Sequence, residues 1–159
     1  MKIFNFKSHG FTLIEMAVVI GISTTLLGFI TINLVRSQQT VSLTSAEEIL
    51  LTDLRAQQLK SMIGDTEGGS TSDSYGIHFD SNRYVLFHGG TYSQLETSNS
   101  IINLDSNMQF NNPGFNIIFS KIGGEVTTPV IVELQNNTNS KFQRVHLNIY
   151  GVITQVESL

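Results

Sequence analysis

The sequence predicts an α+β protein: a long amino-terminal helix, transmembrane in its first half and amphipathic in its second, packed on a carboxy-terminal antiparallel β-sheet or two-sheet β-sandwich. Three observations predict it. Residues 11–35 read FTLIEMAVVIGISTTLLGFITINLV and carry Glu15 as their only charge. An apolar helical period follows as far as residue 63. From residue 75 the period changes to two, in short runs separated by Gly, Asn, Asp and Pro.

The apolar run comes first. Twenty-five helical residues span roughly 37 Å, enough to cross a hydrocarbon core of about 30 Å with some tilt. An ordinary secretory signal has a shorter apolar stretch and a small-residue cleavage site beyond it, and this stretch is too long and lacks that exit. Lys2 and Lys7 precede the run and Arg36 follows it, which favours a cytoplasmic amino end and an exported remainder. A plain anchor leaves Gly10 and Glu15 unexplained, because a carboxylate inside a membrane helix costs on the order of a few kcal/mol.

Gly10-Phe11-Thr12-Leu13-Ile14-Glu15, after a short leader with two lysines, resembles the class III signal of type IV pilins and of the pseudopilins of type II secretion. That resemblance implies a leader at residues 1–10, cut between Gly10 and Phe11 by a prepilin peptidase on the cytoplasmic side. It also implies N-methylation of the new Phe11 amine. Residues 11–35 are then the transmembrane and filament-core helix. Glu15 would meet the Phe11 ammonium of a neighbouring pilin or pseudopilin subunit during assembly on an inner-membrane platform. Such a subunit is single-pass in the bacterial cytoplasmic membrane, with its carboxy-terminal domain periplasmic. Phe11 and Glu15 also stand at i and i+4, so a contact within one chain is open to them.

Residues 36–63 continue the helix in amphipathic form. Leu43, Ala46, Ile49, Leu50 and Leu54 are expected on the packed face, with Glu47, Glu48, Asp53 and Arg55 elsewhere. The apolar phase drifts to another side at Leu59, Met62 and Ile63. Ser45-Ala46-Glu47-Glu48 has capping-box form and marks where a break would fall, while the family resemblance implies one continuous helix. Gly64 should end it, ahead of a flexible loop at residues 64–74.

The β-rich extracytoplasmic domain is expected over residues 75–159. YGIHF, RYVLFH, SIINL, FNIIFS, PVIVELQ and RVHLNIYGVITQV read as strands, with a hairpin at Asp80-Ser81-Asn82 and a bend at Tyr150-Gly151 dividing the last run. DLRAQQLKS, the YGIHF and YVLFHGG hairpin, NIIFSKIGG and LNIYGVI resemble, in order, the H-type minor pseudopilins and related minor pilins. The implied function is a structural pseudopilin of a type II secretion pseudopilus, with a minor pilin of a type IV pilus (fibre initiation, adhesion or DNA uptake) as the alternative. The mature helix holds no proline, unlike many major pilins.

Composition excludes several chemistries. Without cysteine there is no disulfide, thiolate metal site or cysteine nucleophile. Beyond Gly10 the chain has seven Lys and Arg against 13 Asp and Glu, and the cations are scattered, so nucleic acid is not an expected partner. His78, His88 and His146 lack metal-ligand spacing, and no P-loop or GxSxG elbow is present. Asp65, Glu67 and Asp73 offer calcium-type oxygens without the fixed spacing of a calcium loop. Neither enzyme activity, cofactor nor metal is expected.

Overall fold

The computed structural model describes residues 11–66 and 73–159. The leader and the centre of the 64–74 loop, Glu67 included, lie outside the described residues. Helix α1 runs Leu13–Ile63 without interruption, so no break occurs at Ser45. It ends as Gly64 predicts: Gly64 takes a left-handed φ of 69°, and the Asp65 amide donates to the Lys60 carbonyl at 3.1 Å. The chain divides into two units, Met1–Gln38 and Gln39–Leu159.

In the second unit the predicted strands form as β1 (Tyr75–Phe79), β2 (Arg83–His88), β3 (Ser100–Asn103), β5 (Phe115–Phe119) and β6 (Val130–Asn136). The last run divides at the Tyr150-Gly151 bend into β7 (Phe142–Leu147) and β8 (Ile153–Ser158). One further strand, β4 (Met108–Phe110), was not expected: three residues are too few to show a period. All pairings are antiparallel, in two four-stranded sheets ordered β3-β2-β1-β5 and β4-β6-β7-β8.

Alternation decides which side of each sheet is buried. Ile77 and Phe79 of β1, Ile117 and Phe119 of β5, Val132 and Leu134 of β6, and Val145 and Leu147 of β7 join one core with Leu43, Leu50 and Leu54 of α1. Phe79 bridges the sheets: its ring lies edge-on to Phe110 of β4 at 5.0 Å and stacks on Phe115 at 4.7 Å. At Gly76 the strand carries the Phe87 ring so closely that a Cβ would fall 2.5 Å from Phe87 Cζ and 2.7 Å from the Ile117 carbonyl. At the far end of the helix, Gln58 Nε2 donates to the carbonyls of Gly124 at 3.0 Å and Tyr150 at 2.8 Å. The Ile122 amide donates to Ser61 O at 2.7 Å. These bonds attach two sheet loops to the last turns of α1.

Two helix positions differ from expectation. Ile49 is 54% exposed, whereas Glu47 is only 8% exposed. Leu43, Leu50 and Leu54 define the buried stripe, and on a 100° wheel Glu47 lies within it while Ile49 lies about a quarter-turn outside. Burial, and then the neighbouring Glu48 charge, push the Glu47 carboxyl above the ordinary range. Tyr84 also shifts upward, through burial and its 2.5 Å hydrogen bond to Asp53 Oδ2.

Replacing Leu54, 1% exposed, by Ala is expected to cost about 2–5 kcal/mol in urea unfolding of the full chain in detergent. Glu47→Gln acts in the opposite direction. The folded chain binds the Glu47 proton more tightly than the unfolded chain, so wild-type stability declines as pH rises through the raised pKa. The Gln variant should gain on the order of 1 kcal/mol at pH 7 and less at pH 4, read as a pH series of unfolding midpoints.

Candidate functional site

The candidate site is the first turn of α1. Thr12 stands at its N-cap: the Met16 amide donates to Thr12 O at 3.2 Å, the first helical bond. Glu15, three residues on, turns back. Its Oε2 accepts the Thr12 amide at 2.8 Å and the Thr12 hydroxyl at 2.7 Å, while the Glu15 amide donates to Thr12 Oγ1 at 3.3 Å. Thr12-Leu13-Ile14-Glu15 is therefore a capping box, in which threonine and glutamate satisfy each other's backbone donors. The T-x-x-E spacing could have revealed it, but the reading of the sequence placed a capping box only at Ser45.

The arrangement explains how a carboxylate can open an apolar helix. A helix amino terminus carries partial positive charge and unpaired N–H groups, and a carboxylate there answers both. Glu15 uses Oε2 alone; Oε1 accepts no hydrogen bond among the described residues. Phe11 is 77% exposed, and among the described residues no hydrogen bond joins it to Glu15. Gly10 lies outside the described residues.

Beyond the cap, Leu13–Ile30 is long and apolar enough to cross a membrane, and every side chain from residue 11 to residue 30 is exposed. Two of its hydroxyls bond within the helix: Thr24 Oγ1 donates to Ile20 O at 2.7 Å and Thr25 Oγ1 to Gly21 O at 2.9 Å. Such back-bonding satisfies those two hydroxyls within the helix itself.

The histidines serve sheet surfaces instead. His78 stacks on Tyr92 at 4.0 Å and meets Asn116 at 2.7 Å and Asp80 at 3.2 Å. Arg83, 2.6 Å from Asp80, holds that carboxyl below its usual range. His88 faces Ser98 at 3.1 Å, and His146 lies 3.7 Å from Glu157. On the outer face of the second sheet Arg144 donates to Glu133, depressing its pKa, and covers the Phe142 ring at 5.1 Å. Among the described residues no three His, Cys, Asp or Glu come together as a metal site would require. Asp65 and Asp73 are described without their companion Glu67.

Thr12→Val removes the reciprocal cap. It is expected to destabilise the first turn by about 1 kcal/mol and to speed hydrogen exchange of the Glu15 amide, which loses its acceptor, in micelles, with the amides beyond Ile20 unchanged.

Comparison with known families agrees with this geometry. Residues 5–31 match the family described as the prokaryotic N-terminal methylation motif. No curated protein and no solved structure matches the chain. The capped, apolar amino-terminal segment is thus a prepilin-type methylation signal, and it supports a type IV pilin-like or pseudopilin precursor.

Proposed function

We propose that this chain is a minor pseudopilin of a type II secretion pseudopilus, similar to the H-type subunits, and that its activity is assembly. The observation that carries the reading is the methylation motif at residues 5–31, enclosing Gly10, Phe11 and a glutamate five residues past the glycine. A helix free of proline from Leu13 to Ile63 supports a pseudopilin over a major pilin.

In this reading prepilin peptidase hydrolyses the Gly10–Phe11 peptide bond, leaving a carboxylate on Gly10 and an amine on Phe11 that is then methylated. Residues 11–35 remain in the inner membrane with the amino end cytoplasmic, residues 36–63 lead out, and residues 75–159 form the periplasmic domain. Each new amine is a cation placed in a low-dielectric layer, and a neighbouring subunit's Glu15 offsets its cost. Glu15 Oε1 is available to that ammonium while Oε2 stays on Thr12, so the cap need not break. Other pilin-like subunits and the inner-membrane platform are the partners that the reading requires.

Two variants test it. Gly10→Val should retain the leader, seen by intact mass as a chain heavier by the uncut residues 1–10. Glu15→Val should insert and mature normally but fall at least tenfold in co-purification with its partner subunits, since tenfold is about 1.4 kcal/mol and an unpaired membrane charge costs a few kcal/mol. Normal maturation of the first variant would remove the assigned cut, and undiminished co-purification of the second would remove the ion pair.

A further inference from the structure

The polar bonds of the first turn converge on one residue, Thr12. Its hydroxyl accepts the Glu15 amide at 3.3 Å and donates to Glu15 Oε2 at 2.7 Å, and its own amide donates to the same oxygen at 2.8 Å. The two amide bonds replace ones that would carry the helix further back. In a helix each amide is given to the carbonyl four residues before it. The Glu15 amide would then go to Phe11 and the Thr12 amide to Ser8, and helix would enclose the Gly10–Phe11 peptide bond. With both amides occupied, the first helical bond is the one from Met16 to Thr12, and Phe11 and Thr12 stay outside α1.

Unpaired amides are far more costly in a membrane than in water, so an apolar helix entering one must either run backward over its leader or bind its first amides locally. Thr12 does the second. Gly10 disfavours helix but holds no amide, so it does not by itself set the residue at which the helix begins. Hydrolysis of the Gly10–Phe11 bond adds water to the Gly10 carbonyl carbon and releases the Phe11 nitrogen as the amine. An enzyme delivers that water efficiently only where the carbonyl stands clear of helical hydrogen bonding, at a constant place relative to the membrane helix that follows.

We infer that Thr12 is a positioning residue for leader removal: by capping α1 it fixes the helix start, so that Phe11 and Thr12 always separate the cut from the helix. Without the hydroxyl the start is free to move either way, back toward the cut or forward into the first turn, and the scissile bond moves with it. The hydroxyl's bond to the Glu15 amide needs no side chain at residue 15. This role is therefore separate from the ion pair that Glu15 would make between subunits. The inference rests on the prepilin reading for the position of the cut.

Full-length chains are produced in membranes together with a prepilin peptidase, and leader removal is followed in time by intact mass. Thr12→Val keeps the shape of the side chain but loses the hydroxyl, and its leader should be removed about fivefold more slowly, the factor that one threonine cap is worth. Two changes restore a fixed start without restoring threonine. Thr12→Asn is an N-cap of different shape. Leu13→Pro, added to Thr12→Val, sets the first helical position and turns the residue before it away from helix. Recovery of the rate by either supports the cap. A wild-type rate in Thr12→Val overturns the inference, and so does a slow Thr12→Val that neither change recovers, because the peptidase then reads the threonine itself. Gly10→Val, run in parallel, tests the cut alone. Normal maturation there removes the prepilin reading, whereas a blocked Gly10→Val beside a normal Thr12→Val removes only the role of Thr12.

Discussion

The domain depends on one helical stripe that both sheets must share. Leu43, Leu50 and Leu54 lie in the same core as Ile77 and Phe79 of one sheet and Val132 and Leu134 of the other. Each sheet turns an apolar face to the helix, which covers both, while the first sheet also buries Val85 and Phe87 on its other side. Phe79 and Phe110 close the join between the sheets from the side. Gln58 then fixes where the helix ends relative to the loops before β6 and β8, because its amide is committed to two carbonyls at once. With that stripe given over to the core, the opposite face is left to solvent or to a partner.

The amino-terminal unit follows a different constraint. Its described side chains, residues 11–30, are all exposed. What must be satisfied there is polarity: unpaired amides at the helix start, two threonine hydroxyls and one carboxylate. Several are answered within a turn of the helix, the Thr24 and Thr25 hydroxyls by carbonyls four residues back and the Thr12 and Glu15 amides by the reciprocal cap. Glu15 is therefore a cap as well as a membrane charge. The two roles are compatible, because a carboxylate has two oxygens and the cap occupies one.

Much of the fold was legible in short patterns. Strands such as FQRVHL alternate, and RYVLFH is a short apolar run, each between strong turn signals that mark it as a strand. Met108–Phe110 was not legible, since three residues have no period and β4 exists because it pairs with β6. Glu47 and Ile49 were misplaced for a related reason. Hydrophobicity alone assigned Ile49 inward and Glu47 outward, yet the stripe's angle is decided by where two sheets meet the helix. The drift in apolar phase at Leu59, Met62 and Ile63, in contrast, matches the exposure of all three side chains. In the first turn, Glu15 was expected to pair with a Phe11 ammonium, and the T-x-x-E spacing that makes it a cap as well was legible in Thr12-Leu13-Ile14-Glu15.

By itself the sequence determined what local chemistry can determine: an apolar span of sufficient length, a helix that ends at a glycine, strands in alternating order, and a glycine-to-glutamate signal whose meaning lies in residue identity and spacing. Tertiary structure decided which residues face each other. It placed Phe79 against Phe110, brought Gln58 to Gly124 and Tyr150, buried a glutamate and exposed an isoleucine two positions away. Periodicity gives a helix or strand its faces, but only the packing of distant segments against it selects which face is buried.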